Sequence, residues 1–347
     1  MVAPVMKVVR SDYWIDPVFD QQFRERPGVT LEVFAARGAD EAAWAALSRA
    51  NVYHVSAAKD ELPRQWFVDA TLLQRCPGLV CVSSTGAGYD TVDVEACTRA
   101  GVAVVNQAGG NSVSVAEHTF GLMLGVSHRM LECDRKMRRQ TGLVRQDVMG
   151  HEIRGKTLGL VGIGNVGTRV AAIGHAFGMT VLAPDPLLDV QEVERRGAAP
   201  VAPDELLARS DFVSLHCPRD KTTLKMMGAD AFAHMKQGAI FITTARGGIH
   251  DEAALIAALR SGHLAGAGID VWDNEPPPLD HPLLAMDNVY ATFHTAGVTH
   301  EARRNMATVG AEQILQVLAG QRPPRLVNPS VCPAFEARLA RARAAPS

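Results

Sequence analysis

The sequence predicts an α/β protein built as two domains, each a parallel sheet flanked by helices. Short β-type runs alternate with helical runs from one end of the chain to the other. That alternation gives parallel strands, helices on both faces and right-handed crossovers. Several of the runs are apolar throughout, as strands buried on both faces are. At 347 residues the chain also exceeds one ordinary core, so two domains are expected.

In the first third, strands are predicted at 5–9, 29–33, 52–55, 79–82 and 102–105, with helices at 41–49, 63–74 and 92–100. The segment NQAGGN at 106–111 is polar and glycine-rich and reads as a hinge loop. A long apolar helix follows, from Ser112 past Met130. The middle of the chain repeats the theme, with strands at 157–161, 180–183, 212–215, 239–243, 265–270 and 289–292 and helices at 168–177, 204–208 and 251–261. A second junction, HTAGVT at 294–299, precedes a helix at 300–318. If that helix folds back on the first domain, the chain crosses between domains twice. The stretch after Gly320 is Pro-rich, then Ala/Arg-rich, and is expected to be a surface segment. No short-period repeat is present.

Composition narrows the classes of function. Apolar residues make up 47% and charged residues 21%, which describes a soluble globular protein. The formal net charge of −2 offers no reason for a nucleic-acid or membrane-surface partner. The short basic patch Arg135, Lys136, Arg138, Arg139 reads as a solvated helix end. The six cysteines include no CxxC pair, and no His cluster has metal-ligand spacing. Reduced thiols are therefore expected, with neither a disulfide framework nor a metal. The N-terminus MVAPVMKVVR runs into a strand without a signal-peptide pattern. No run approaches the roughly 20 apolar residues of a membrane span. A cytoplasmic location is expected.

The sharpest local signal is Gly162-Ile163-Gly164-Asn165-Val166-Gly167, between the strand at 157–161 and a helix opening at Thr168. The first glycine permits a tight turn, the second lets backbone approach a pyrophosphate, and the third lets helix pack on strand. The helix N-terminus adds free N–H donors and a positive dipole end. A lone GxGxxG also marks ordinary turns. Here Asp185 stands at the end of the next strand, roughly 20 residues on, where an acid accepts hydrogen bonds from the adenosine ribose. It would repel a 2′-phosphate, which favours NAD over NADP. By itself Asp185 could equally be a turn residue between Pro184 and Pro186.

Arg246, Glu275 and His294 each lie just past the C-terminal end of a predicted strand, and those strands are consecutive. In open α/β sheets ligands bind at that edge. The three side chains suit reduction of a 2-oxo acid. Arg246 offers a planar fork to a carboxylate and can polarise the adjacent carbonyl. His294 can give a proton to the oxygen or take it back. Glu275 would orient the ring and favour the imidazolium. Each residue alone has a plainer reading: a loop-capping Arg, a solvated Glu before Pro, a structural His. Jointly they favour chemistry.

At this point the chain resembles the D-isomer-specific 2-hydroxyacid dehydrogenases. The matching segments are STGAGYDTVDV (84–94), NQAGGNSVSVAEHT (106–119), GKTLGLVGIGNVG (155–167), VSLHCPRDKTT (213–223), FITTARGG (241–248), GAGIDVWDNEPP (266–277) and HTAGVT (294–299). The resemblance implies two Rossmann-like or flavodoxin-like domains with parallel sheets and an active-site cleft between them. Residues 1–106 and 299–347 would form the flavodoxin-like substrate domain, and 107–298 the NAD-binding Rossmann domain. Arg246, Glu275 and His294 would be the catalytic trio. Ala87 and Gly88, with Arg246 and His294, would bind the substrate. The cofactor would touch Gly162, Gly164, Asn165, Val166, Gly167, Asp185, His216, Cys217, Pro218, Thr244, Ala245, Arg246, Asp270, His294, Ala296 and Gly297. A homodimer through the helix after Ser112 and a cleft that closes on substrate are implied as well. Read from the residues alone, the Gly86–Gly88 stretch is better explained as a plain strand–helix turn, Asp270 could be a strand-end turn residue, and Cys217 a small buried hydrophobe.

The pattern also departs from that family. Asn165 stands where many members carry Arg, which removes one positive charge from the phosphate loop. Tyr89 and His118 replace common aliphatics; both could shape a substrate pocket, but a packed Tyr and a satisfied core His are the plainer readings. Val55 stands near where phosphoglycerate enzymes offer an Arg, which argues against a phosphorylated substrate. Selectivity is expected to depend on the surroundings of Tyr13, Trp14, His54, Tyr89 and His118. Two other functions fit the scaffold less well. One is a formate or phosphite dehydrogenase, but a formate enzyme typically has Gln in place of Glu275; the other is an NAD-sensing corepressor or scaffold, to which nothing in the composition or tail points.

Overall fold

The computed structural model describes residues 5–24 and 26–344. The first four residues, on which part of the N-terminal reading rests, lie outside them. The chain divides into two compact units. One holds the chain up to Asn111 and again from Thr299, and the other is Ser112–Val298.

The first unit is built on five parallel strands, β1 (Met6–Ser11), β2 (Val29–Phe34), β3 (Val52–Val55), β4 (Cys81–Ser84) and β5 (Ala103–Val105), in the order β2-β1-β3-β4-β5. This is the flavodoxin-like order. Alternate side chains serve opposite cores. Tyr53 and Val55 join Leu47, Trp66 and Leu72 on one face, while Val52 joins Phe19, Ala307 and Ile314 on the other.

Several expectations need correction here. β4 begins at Cys81 and ends at Ser84, beyond the predicted apolar run. Its two serines are buried and satisfied: Ser83 Oγ bonds His54 Nδ1 (3.0 Å), and Ser84 Oγ donates to the Gly88 carbonyl (2.9 Å). The predicted helix at 63–74 is split, because Trp66 turns its indole N–H onto the Ala36 carbonyl (2.8 Å) and Asp69 then caps a new helix, Ala70–Arg75. The border of the unit falls after Asn111, not after Asn106. The intervening loop is tied to the first unit by Gln107 N donating to Gly86 O (2.6 Å), Gly86 N to Gln107 Oε1 (2.6 Å) and Arg325 Nε to Ala108 O (2.8 Å).

The tail is more than a surface segment. It forms the helix Cys332–Ala344, which buries Phe335 and Leu339 in the same core as Phe19 and Ile314. Arg338 donates to the carbonyls of Pro77, Leu79 and Ala100. An Ala/Arg composition conceals this, since the apolar side chains are few and the arginine acts through backbone oxygens.

The second unit holds seven parallel strands: β6 (Thr157–Val161), β7 (Thr180–Ala183), the two-residue β8 (Ala199–Pro200), β9 (Phe212–Leu215), β10 (Ile240–Thr243), β11 (Gly266–Ile269) and β12 (Val289–Ala291). Their order, β12-β11-β10-β9-β6-β7-β8, reverses direction between β6 and β9, the Rossmann topology. The long apolar helix stops at Ser127. There the Ser127 carbonyl accepts from His151 N (2.8 Å), and Arg129 takes a left-handed conformation (φ 55°) while its guanidinium closes on Glu132. A second helix, Met130–Met137, carries the chain onward. Among the described residues no helix is long and apolar enough to cross a membrane.

Candidate functional site

The strand β6 is an apolar run buried from Leu158 to Val161, and it ends where glycine becomes necessary. Gly162 has φ 96°, and a Cβ there would lie 2.8 Å from the Cys217 nitrogen. A Cβ on Gly167 would lie 2.3 Å from the Gly162 carbonyl oxygen. These two glycines pack the turn against its neighbours. Gly164 differs, since no atom lies within 4 Å of where its Cβ would stand. The helix Asn165–Ala176 starts inside the motif, earlier than the predicted Thr168. Its N-cap is Gly164, which brings no capping side chain. At a helix start with no capping side chain the first-turn N–H groups lack intrahelical partners, and the positive dipole end lies behind them. That is the cradle a pyrophosphate requires.

A cavity of about 1150 Å³ adjoins this turn. Gly162, Gly164, Asp185, His216, Cys217 and Pro218 all line it. Asp185 does double service: Oδ1 accepts from Leu187 N (3.0 Å) as a turn residue would, and Oδ2 faces Ile163 N (3.4 Å) across the glycine loop. His216 bonds Ser214 Oγ through Nε2 (2.9 Å), and burial lowers its pKa to about 3, so the ring is neutral. Burial pushes the Cys217 thiol up to about 11, so it stays protonated. The sequence reading missed Arg196. It lines the same cavity and donates to the Ile163 carbonyl (2.9 Å), bringing a positive charge to a loop where Asn165 has none. No local pattern marks it, because it comes from another helix end.

Past β10, β11 and β12 the trio comes from adjacent strand tips, on the same sheet edge as the glycine turn. His294 Nδ1 lies 2.8 Å from Glu275 Oε2, and Glu275 Oε1 accepts from Trp272 N (3.1 Å). Burial works against ionisation of Glu275. The hydrogen bond and charge of His294, the Trp272 amide and the Arg246 charge prevail, and hold the carboxyl below its ordinary range. Arg246 Nη1 donates to the Ala245 carbonyl (2.7 Å), which turns its fork at the end of β10. Thr244 and Ala245 are buried beneath it, with Thr244 Oγ1 3.2 Å from Thr119 Oγ1.

Asp270 is fully buried and spends its carboxylate on the loop that carries His294. Oδ1 accepts from Thr292 Oγ1 (2.6 Å) and Thr295 N (2.8 Å), and Oδ2 accepts from Ala296 N (3.0 Å). The Asp270 carbonyl accepts from His294 N (2.6 Å), and His294 itself has φ 45°. Gly297 follows, half-buried, at the end of the loop.

In the first unit, the Ala87 carbonyl accepts from Asn106 Nδ2 (2.8 Å) and the Gly88 carbonyl from Ser84 Oγ. Their own amides donate to no group among the described residues, as an anion-binding turn requires. Tyr89 beside them is 40% exposed, so it is not the packed residue expected. His54 is fully buried and stacks on Phe19 (4.3 Å), which makes it core rather than pocket lining. Tyr13 bonds Thr85 Oγ1 (2.8 Å), and Trp14 is exposed.

Residues 120–296 match the family described as D-isomer specific 2-hydroxyacid dehydrogenase, NAD binding domain. The chain is 42% identical over 267 residues to the D-3-phosphoglycerate dehydrogenase of Archaeoglobus fulgidus, an alignment covering 77% of this chain and 50% of that protein. It is 38% identical over 267 residues to the glyoxylate reductase of Korarchaeum cryptofilum, covering 76% of this chain and 80% of that one. A solved glyoxylate reductase from Paecilomyes thermophila superposes with a TM-score of 0.82 at 27% identity, covering 93% of this chain and 98% of the other. The chain spans about half the length of the phosphoglycerate dehydrogenases it matches.

Proposed function

This chain belongs to the D-isomer specific 2-hydroxyacid dehydrogenase family, and we propose that it interconverts a small D-2-hydroxy acid and its 2-oxo acid. When bound, NAD would supply or accept the hydride at C2. The observation that carries this reading is the His294–Glu275 contact of 2.8 Å, with Arg246 on the neighbouring strand tip and charge-coupled to Glu275.

From it the roles follow. His294 turns Nδ1 to Glu275, which leaves Nε2 to hold the proton exchanged with the C2 oxygen. Ionised Glu275 fixes the orientation of the ring. Arg246 clamps the carboxylate and polarises the oxygen beside it. The amides of Ala87 and Gly88, in the first unit, offer donors suited to a carboxylate. The amides of Asn165 and Val166, in the turn of Gly162, Gly164 and Gly167, would take the pyrophosphate of NAD, and Asp185 the ribose hydroxyls. His216, Cys217 and Pro218 form the cavity wall. Thr244, Ala245, Asp270, Ala296 and Gly297 would frame the nicotinamide end.

A cytoplasmic homodimer belongs to the same reading. All six cysteines are free, which suits a reducing compartment. The stretch after the Ser112–Ser127 helix exposes the apolar side chains Met130, Met137, Leu143, Val144 and Met149, which a second copy would cover.

The test is NADH oxidation across 2-oxo acids of increasing length, with one phosphorylated member. Steady turnover with at least one, lost in His294→Ala while NADH still binds, is the expected result. NADH binding without turnover on any of them would leave only a nucleotide-binding protein.

A further inference from the structure

His118 lies on the helix Ser112–Ser127, half-buried, where it reaches the sheet. The helix sits close on β11 because that strand is GAGI. A Cβ on Gly268 would come 2.7 Å from Leu122 Cβ, and one on Gly266 would come 2.6 Å from Val126 Cγ1. Four helical residues rise about 6 Å and two strand residues about 6.6 Å. The helical stripe 118, 122, 126 therefore keeps step with 270, 268, 266 on the strand. Leu122 meets Gly268, Val126 meets Gly266, and His118 comes to Asp270, with Nε2 3.7 Å from Oδ1.

Between the two stands Thr292. Its Oγ1 is 2.6 Å from Asp270 Oδ1 and 2.9 Å from His118 Nε2. A hydroxyl has one hydrogen, and the carboxylate can only accept it. Thr292 must then accept from His118, so Nε2 of His118 carries a proton in either charge state of the ring. The donor chain runs His118 to Thr292 to Asp270, and Asp270 in turn holds the amides of Thr295 and Ala296 beside His294.

We propose that His118 is a positioning residue: its Nε2–H orients the Thr292 hydroxyl onto Asp270, and so fixes the loop that presents His294. Its catalytic consequence rests on the dehydrogenase reading; its structural part does not. Two variants separate the hydrogen bond from the mere filling of space. The substitution His118→Gln keeps an N–H donor at the same reach, whereas His118→Leu fills the space without one.

In His118→Leu, amide exchange at Thr295 and Ala296 should quicken about tenfold. Its kcat should fall about tenfold or more, since a misplacement of about an ångström at a reacting centre costs up to about a hundredfold. Its Kd for NADH should change less than about twofold. His118→Gln should return exchange and kcat to near the parent values. Parent-like exchange in His118→Leu, or equal damage in both variants, overturns the proposal. If exchange responds as expected but the parent chain reduces no 2-oxo acid, the positioning role stands and the dehydrogenase reading falls.

Discussion

A Cβ on Gly247 would stand 1.8 Å from the main-chain oxygen of Trp272. The tips of β10 and β11 thus meet backbone against backbone, one residue after Arg246 and shortly before Glu275. No rotamer relieves a clash with a carbonyl, so Gly247→Ala must push the two tips apart. A loss of about 3 kcal/mol in unfolding free energy is expected, at the upper end of overpacking costs. Turnover should fall more than NADH affinity. Urea denaturation and steady-state kinetics check both, and a parent-like variant refutes the contact.

Glu275 is held below the ordinary carboxylate range by His294, Trp272 and Arg246 against the opposing effect of burial. A depressed folded pKa means that the ionised form stabilises the folded chain above the unfolded value of about 4.3. That contribution fades as pH falls through the lower folded value. Glu275→Gln should therefore be less stable than the parent near neutrality, with the gap closing below about pH 4. Denaturation midpoints from neutrality into acid measure it; a gap that stays constant across this range refutes the assignment.

Asp185 faces the glycine loop from the rim of the cavity. A like charge in such a place costs a 2′-phosphate several kcal/mol. Asp185→Ser should narrow the preference for NAD over NADP by about tenfold to a hundredfold. Cofactor Kd values by fluorescence titration decide this, and an unchanged ratio assigns Asp185 to the turn alone.

Phe335 is buried on the tail helix among Phe19, Ile314 and Leu339. Phe335→Ala should cost about 3–5 kcal/mol of stability, the usual range for such a truncation. The kcat of the folded protein should not change. A truncation that leaves the urea midpoint where it was would return the tail to the status of a surface segment.

The sequence by itself determined the alternation that makes both sheets parallel. β3, β6, β7 and β9 lie where their apolar runs predict, because strands buried on both faces need nothing beyond local composition. It also determined the glycine turn, and that Arg246, Glu275 and His294 follow consecutive strands. Such signals are short-range: a glycine or an apolar run carries its meaning within a few residues.

Tertiary structure decided what those residues touch. The Asp270 carboxylate closes on Thr292, Thr295 and Ala296, and His118 reaches Thr292 from 174 residues away in sequence. His54 became core, Tyr89 became surface, and Arg338 found three carbonyls. Each outcome depends on which backbones can approach closely enough for a side chain to span the gap. Only packed helices and strands fix that distance, so no pattern in the chain alone could state it.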